Sequence, residues 1–140
     1  MARRVLFLDI DGVLNRDGTK ARCNGFVGVD RDLSDKLLKW LKDKDIAIVL
    51  SSTWRRHADM HDHLHDAGIH WIDVTPTVGS RGMDIQAWLN KNQDVIHYII
   101  LDDDADMLPN QLTCFVQTDN ALGLQDHNID HLDTIHRRFL

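Results

Sequence analysis

Three apolar runs in the 140-residue chain each give way to side chains that can do chemistry. Val5–Leu8 is followed by Asp9-Ile10-Asp11-Gly12-Val13-Leu14-Asn15, Ile46–Leu50 by Ser51-Ser52-Thr53-Trp54-Arg55, and Ile96–Leu101 by Asp102-Asp103-Asp104. Short apolar runs of this kind predict strands buried on both faces. If the three are neighbours in one sheet, their carboxylates and hydroxyls converge at one edge. In an open α/β sheet that carboxyl edge is where ligands bind.

Clustered carboxylates repel one another and raise each other's pKa unless a cation neutralises them. Oxygen donors without histidine or cysteine favour Mg2+, which keeps some of its waters and recruits phosphate oxygens. A carboxylate such as Asp9 can attack phosphorus and divide a hard displacement into two easier ones. Asp11 has the reach to protonate a leaving oxygen and later to activate water. Gly12 allows the backbone to turn close beside a phosphate.

The elements that must position these groups follow from periodicity. Asp9 to Asp30 is polar, contains four glycines (Gly12, Gly18, Gly25, Gly28) and is too long for a plain turn, so it is read as a functional loop or flap. Leu33, Leu37, Leu38 and Leu41 predict a helix from Asp32 to Lys44. A second helix is expected from Arg55 to Ala67, with Met60, Leu64 and Ala67 inward and Gly68 as its stop. Trp71–Val74 reads as a short strand, and Ile85, Trp88 and Leu89 mark a third helix ending near Asn92. Thr113–Val116 reads as another strand. Ile129, Leu132 and Ile135 form the inner stripe of a C-terminal helix. The alternation predicts a single α/β domain over residues 1–140, a doubly wound and mainly parallel sheet covered on both faces.

Asp9-Ile10-Asp11-Gly12-Val13-Leu14-Asn15 resembles the first motif of the haloacid dehalogenase (HAD) superfamily, DxDG followed by small apolar residues. The hydroxyls after the second strand resemble its second motif, and Asp102-Asp103 its acidic fourth. With Ser-Ser-Thr-Trp-Arg and Asp-Asp-Asp-Ala-Asp-Met, the chain looks closest to the compact phosphatase-like domains associated with RNA repair proteins. The resemblance implies a magnesium-dependent phosphatase with Asp9 as nucleophile and metal ligand. Asp11 would be the acid/base and would bind metal through its main-chain carbonyl. Ser51, or Ser52 one residue on, would contact the transferred phosphoryl group, and Asp102 and Asp103 would complete the Mg2+ site. The family's usual lysine ahead of the fourth motif is missing from Gly79-Ser80-Arg81-Gly82-Met83-Asp84. Arg81 is the expected substitute, with Arg55 second, since arginine neutralises the same charge. Members of the superfamily usually carry a cap domain, whereas here there is room for a flap only. That implies a bulky substrate, with a nucleic-acid terminal phosphate favoured.

Composition bounds these expectations. The chain is 43% apolar and 27% charged, ordinary for a globular protein. No apolar run approaches a membrane span, and none after Arg3-Arg4 is long enough for a signal peptide, so a cytoplasmic location is expected. A net charge of −6, from 16 basic and 22 acidic residues, argues against a large nucleic-acid footprint but not against a local basic group such as Arg55, Arg56 and Arg81. Cys23 and Cys114 lack the spacing of a zinc site or a disulfide framework. His57, His61 and His65 recur at four-residue spacing but read as a solvated or pH-sensitive face. The tryptophans read as core or subunit contacts rather than base-stacking platforms. Three other functions stand beside the leading one: a small-molecule nucleotidase, a phospho-accepting receiver module, and a catalytically silent domain of the same fold. A receiver would place its paired acids after the first strand and its acceptor aspartate on a middle strand, which is not the order here.

Overall fold

The computed structural model describes residues 3–139. Its main sheet contains β1 (Arg3–Leu8), β4 (Ala47–Leu50), β5 (Asp73–Val74), β6 (Val95–Asp102) and β7 (Phe115–Gln117). All pairings are parallel and the spatial order is β5-β4-β1-β6-β7. The chain winds outward from β1 through β4 to β5, then returns to the other side of β1 for β6 and β7. This is the doubly wound α/β arrangement, and it opens a crevice beside β1 where the winding reverses.

Side-chain alternation along the strands explains the layers. Leu6 and Leu8, Ile48 and Leu50, and Ile99 and Leu101 enter one core cluster with Leu37, Leu64, Leu132 and Ile135. These last four belong to α1 (Arg31–Leu41), α2 (His61–Asp66) and α4 (Asp126–Arg137). Val5, Phe7, Val49 and Ile100 point the other way, onto Ile85 and Trp88 of α3 (Arg81–Lys91). Phe7 meets the Trp88 ring edge-to-face at 5.4 Å. Each strand is thus covered on both sides, which is why the runs are apolar throughout instead of alternating.

The helix expected from Arg55 to Ala67 is broken. Residues Thr53–Arg56 and Ala58–Met60 form 3₁₀ turns, and only His61–Asp66 is α-helical. The cause is a competing set of side-chain bonds. The Ser52 hydroxyl accepts from Trp54 N, Arg55 donates to the Ser51 and Ser52 carbonyls, and His61 Nε2 lies 3.0 Å from the Trp54 carbonyl. Met60, Leu64 and Ala67 are nonetheless buried as the pattern predicted. The strand expected at Thr113–Val116 begins later, because Pro109–Cys114 forms a 3₁₀ turn with buried Gln111 bonded to Leu108 N and Gly82 O. The flap contains a hairpin, β2 (Arg22–Cys23) and β3 (Phe26–Val27), turned at Asn24-Gly25 with φ of 51° and 83°. Two positive φ values on Asn-Gly are the hairpin signature that alternation alone does not reveal. No separate cap domain intervenes among the described residues, and none of their helices is long and apolar enough to cross a membrane.

Candidate active site

Strand register places the chemistry. Leu8 pairs with both Leu50 and Leu101, and Leu50 pairs with Val74. The next residues, Thr75, Ser51, Asp9 and Asp102, therefore stand in one row across the carboxyl edge. Ladder bonds fix this row: Asp9 N donates to Leu101 O, Ser51 N to Leu8 O and Thr75 N to Leu50 O, at 3.0, 3.0 and 3.1 Å.

Asp9, Asp102 and Asp103 each present a carboxylate oxygen, all within 4.8 Å of one another. Asp9 and Asp102 are buried, at 4% and 0% exposure. Burial, followed by repulsion from Asp102, holds the Asp9 carboxyl well above the ordinary range, against the pull of Arg81. Burial likewise raises Asp102 to about 6, opposed by Arg81 and by a hydrogen bond from Asp104 N. Three hard oxygen donors, crowded and short of positive charge, fit a Mg2+ ion. Gly12 is part of this crowding. It has φ of 79°, and a Cβ there would come within 2.3 Å of Asp103 Oδ2.

Arg81 supplies the cation within the chain. Its Nη1 donates to Asp9 Oδ1 at 3.2 Å and to Asp102 Oδ2 at 2.9 Å. Burial alone would lower its pKa, but Asp102 and Asp9 outweigh that and raise it. The start of α3 is anchored so that this side chain reaches the row. Arg81 N donates to Asp106 Oδ2 and Gly82 N to Asp106 O. A Cβ on Gly82 would meet Leu108 N at 2.7 Å, so the helix start and the loop after β6 approach backbone to backbone.

Asp11 stands outside the carboxylate triplet. Its carboxylate is exposed and accepts from Asn15 Nδ2 at 2.9 Å and from Trp54 Nε1 at 3.2 Å to each oxygen. Asn15 also accepts from Gly12 N at 2.8 Å, so it braces the turn and aims the aspartate together. Ser51 and Ser52 separate cleanly. Ser52 Oγ caps the Trp54 turn, whereas the fully buried Ser51 Oγ has no hydrogen-bond partner among the described residues. A buried hydroxyl without a partner is costly unless a ligand completes it.

Arg55 departs from its expected place in substrate binding. Its five N–H donors are taken by the carbonyls of Thr75, Ser51 and Ser52, the Thr77 hydroxyl and the Asp84 carboxylate. Both members of the Arg55–Asp84 pair are buried. Asp84 in turn accepts from Val78 N and Gly79 N. The pair is a strut holding the loop before Arg81, and it leaves no arginine donor to offer a phosphate.

Sequence reasoning passed over Asn15 and Trp54 as aiming residues, Thr118, whose hydroxyl holds the Gly12 carbonyl at 2.7 Å, and Thr75. Thr75 Oγ1 is buried and, like Ser51 Oγ, has no partner among the described residues. The signal for Thr75 was its position, directly after a strand. His57 and His65 are exposed and His61 half-buried, and the rings of His61 and His65 pack on Trp71.

The model for the HAD domain in Swiss Army Knife RNA repair proteins matches residues 5–129. The chain belongs to this HAD family. The match spans all four strand-end clusters, from Asp9 to Asp102-Asp103. Among curated proteins no relative matches the chain. The family gives the domain a hydrolase-type framework, and the acidic triplet gives it a place for a metal ion.

The flap of this HAD domain is tied across the site's mouth. Asn24 Nδ2 donates to Asp59 Oδ2 at 2.7 Å, and Val29 N donates to His63 Nε2 at 2.8 Å. The second bond requires an unprotonated Nε2. Burial, then the nearby Arg31, lowers the His63 pKa, with Asp66 opposing. A histidine lowered on folding contributes its stability above its ordinary value of about 6.5 and loses it as pH falls from there toward the native value. Acidification below about 6.5 is therefore expected to release Val29 and loosen the flap. Amide exchange at Val29, corrected for intrinsic rates, should accelerate as pH falls and be insensitive in His63→Ala. Protection unchanged down to pH values near 5 would reject the latch.

Proposed function

We propose that the protein is a Mg2+-dependent phosphomonoester hydrolase that works through an aspartyl-phosphate, with a nucleic-acid terminal phosphate as substrate. The observation that carries this reading is the pair of strand-end carboxylates, Asp9 and Asp102, bridged by one guanidinium nitrogen of Arg81. Asp9, Asp102 and Asp103, with the Asp11 carbonyl, would hold the ion. Bound there, Mg2+ supplies the charge that keeps the carboxylates ionised and offsets charge on the phosphoryl oxygens.

Asp9 attacks phosphorus, the P–O bond to the leaving group breaks, and Asp11 gives its proton to the departing oxygen. Water then attacks the same phosphorus, its proton passes to Asp11, and inorganic phosphate leaves with Asp9 regenerated. Ser51 Oγ and Arg81 donate to the phosphoryl oxygens, in keeping with an unpartnered hydroxyl and with Arg81 Nε and Nη2 uncommitted among the described residues. Ser52 and Arg55 hold the loops that carry them.

A site closed by a hairpin alone suits a phosphate at the end of a large molecule. The family's association with RNA repair proteins favours nucleic acid. The test compares kcat/KM for a 3′-phosphorylated oligonucleotide, a 5′-phosphorylated one and a mononucleotide. One of the oligonucleotides should be preferred by about tenfold or more, the equivalent of about 1.4 kcal/mol. A preference for the mononucleotide would move the protein to the small-molecule nucleotidases.

A further inference from the structure

A cavity of about 320 Å³ lies between the flap and the segment after β4, lined by Asp11, Phe26, Val27, Thr53, Trp54, His57 and Met60. Its two sides come from separate parts of the chain. Phe26 and Val27 belong to the hairpin, Met60 to the second 3₁₀ turn and His57 to the link between the two turns, with the Asn24–Asp59 bond bridging one side to the other. Phe26 is 62% exposed and its neighbour Val27 39%, so the hairpin presents an apolar face to this space. Of the catalytic carboxylates, Asp11 lines this space, and Asp11 is the group assigned to the leaving oxygen. What fills the cavity is therefore the leaving group and not the phosphoryl group.

We infer that this cavity binds the nucleobase of the phosphorylated terminal nucleotide, with Phe26 stacked on its face. The inference rests on the proposed nucleic-acid phosphatase reading and specifies how it selects its substrate. The lining fits a flat and uncharged body. It offers an aromatic ring, the apolar side chains of Val27 and Met60, and the His57 imidazole, with no lysine or arginine. A volume of about 320 Å³ lies at the small end of ligand sites, enough for a nucleoside and too small for a folded segment. Trp54 is the floor rather than a stacking face. It is buried, and its Nε1 is occupied by Asp11. An occupant pressed against it bears on the residue that aims Asp11, so base binding and acid positioning share one wall. Stacking on one aromatic side chain is tolerant of base identity, which predicts selectivity for a base-bearing end without selectivity for its sequence.

The experiment uses the full chain carrying Asp9→Asn, so that the probe is not turned over. The probes are a dye-labelled pentanucleotide with a terminal phosphate and the same molecule with an abasic terminal residue, titrated by fluorescence anisotropy with Mg2+ present. The base-bearing probe is expected to bind about 5–100-fold more tightly, the range for loss of one base–aromatic stack. Phe26→Ala should abolish that difference and leave the abasic affinity unchanged. Phe26→Tyr should retain it, and Phe26→Leu, apolar but not planar, should lose most of it. Equal affinity for the two probes, equal weakening of both by Phe26→Ala, or binding of neither would overturn the inference. If the base-dependent difference is present while the protein with intact Asp9 releases no phosphate from the base-bearing probe, the hydrolase reading fails and the base site stands.

Discussion

Asp9→Asn is expected to lower turnover by about 10⁴-fold or more, because the amide keeps the shape of the carboxylate but cannot attack phosphorus. The substitution should not unfold the protein. Asp9 sits within 4.8 Å of Asp102 and Asp103, and removing one of three crowded charges relieves repulsion in the metal-free chain. Its thermal midpoint without metal should stay level or rise, while the stabilisation gained on adding Mg2+ should shrink, since one charged ligand is gone. A malachite-green phosphate assay and a melting curve with and without Mg2+ measure both effects. Near-normal turnover in the variant would exclude the aspartyl-phosphate route. No turnover in the unsubstituted protein on any phosphomonoester would instead leave the silent-domain reading, in which the same fold serves binding alone.

The parts of this site that were legible in the sequence are those that strand register dictates. An apolar run buried on both faces has to stop where the chain leaves the sheet, and the first polar residue after each run falls on the carboxyl edge. Asp9, Ser51 and Asp102 were readable for that reason. Parallel pairing with Leu8 against both Leu50 and Leu101 then puts them level without further information. Arg81 was readable only through resemblance, as the basic residue in a region where the family has lysine. Nothing in its local sequence distinguishes it from Arg55.

What separates those two arginines is tertiary. Asp84 lies four positions before Trp88 on the inward face of α3, and a carboxylate there has to find a buried partner. It takes Arg55, from a segment 29 positions away. An acidic residue on an apolar stripe is the sequence feature that announces such a pair, but not which cation will join it. The broken helix after β4 has the same origin. The apolar spacing of Met60, Leu64 and Ala67 is helical, yet Arg55 and His61 hold the backbone carbonyls of Ser51, Ser52 and Trp54, and these bonds compete with the helical ladder. Asn15 and Trp54 were visible as residues but not as a pair, since their meeting on Asp11 depends on how two strand-end loops face each other.

The geometry of Arg81 makes its replacement informative in a way that the loss of Asp9 is not. Both of its carboxylate contacts come from the single nitrogen Nη1, at 3.2 Å to Asp9 and 2.9 Å to Asp102. The planar two-pronged grip that distinguishes arginine from lysine is therefore not used on these acids, and one ammonium nitrogen can stand in the same place. Arg81→Lys is expected to retain kcat within about tenfold, whereas Arg81→Ala should lower it by about 10²–10³, the usual cost of losing one preorganised donor to developing charge. KM should move less than kcat in the alanine variant if the missing charge acts mainly on the transition state. Arg55→Ala provides the contrast. It strands the buried Asp84 carboxylate, which among the described residues keeps only Val78 N and Gly79 N, and should destabilise folding by about 3 kcal/mol, the lower end for a broken buried pair. Its kcat per folded molecule should fall less than that of Arg81→Ala. Should Arg81→Ala turn over normally while folded Arg55→Ala is inactive, the electrostatic duty belongs to Arg55 and the shared-nitrogen argument is wrong. Loss of activity in Arg81→Lys equal to that in Arg81→Ala would shift the duty from Nη1 to the Nε and Nη2 donors, which lysine cannot supply.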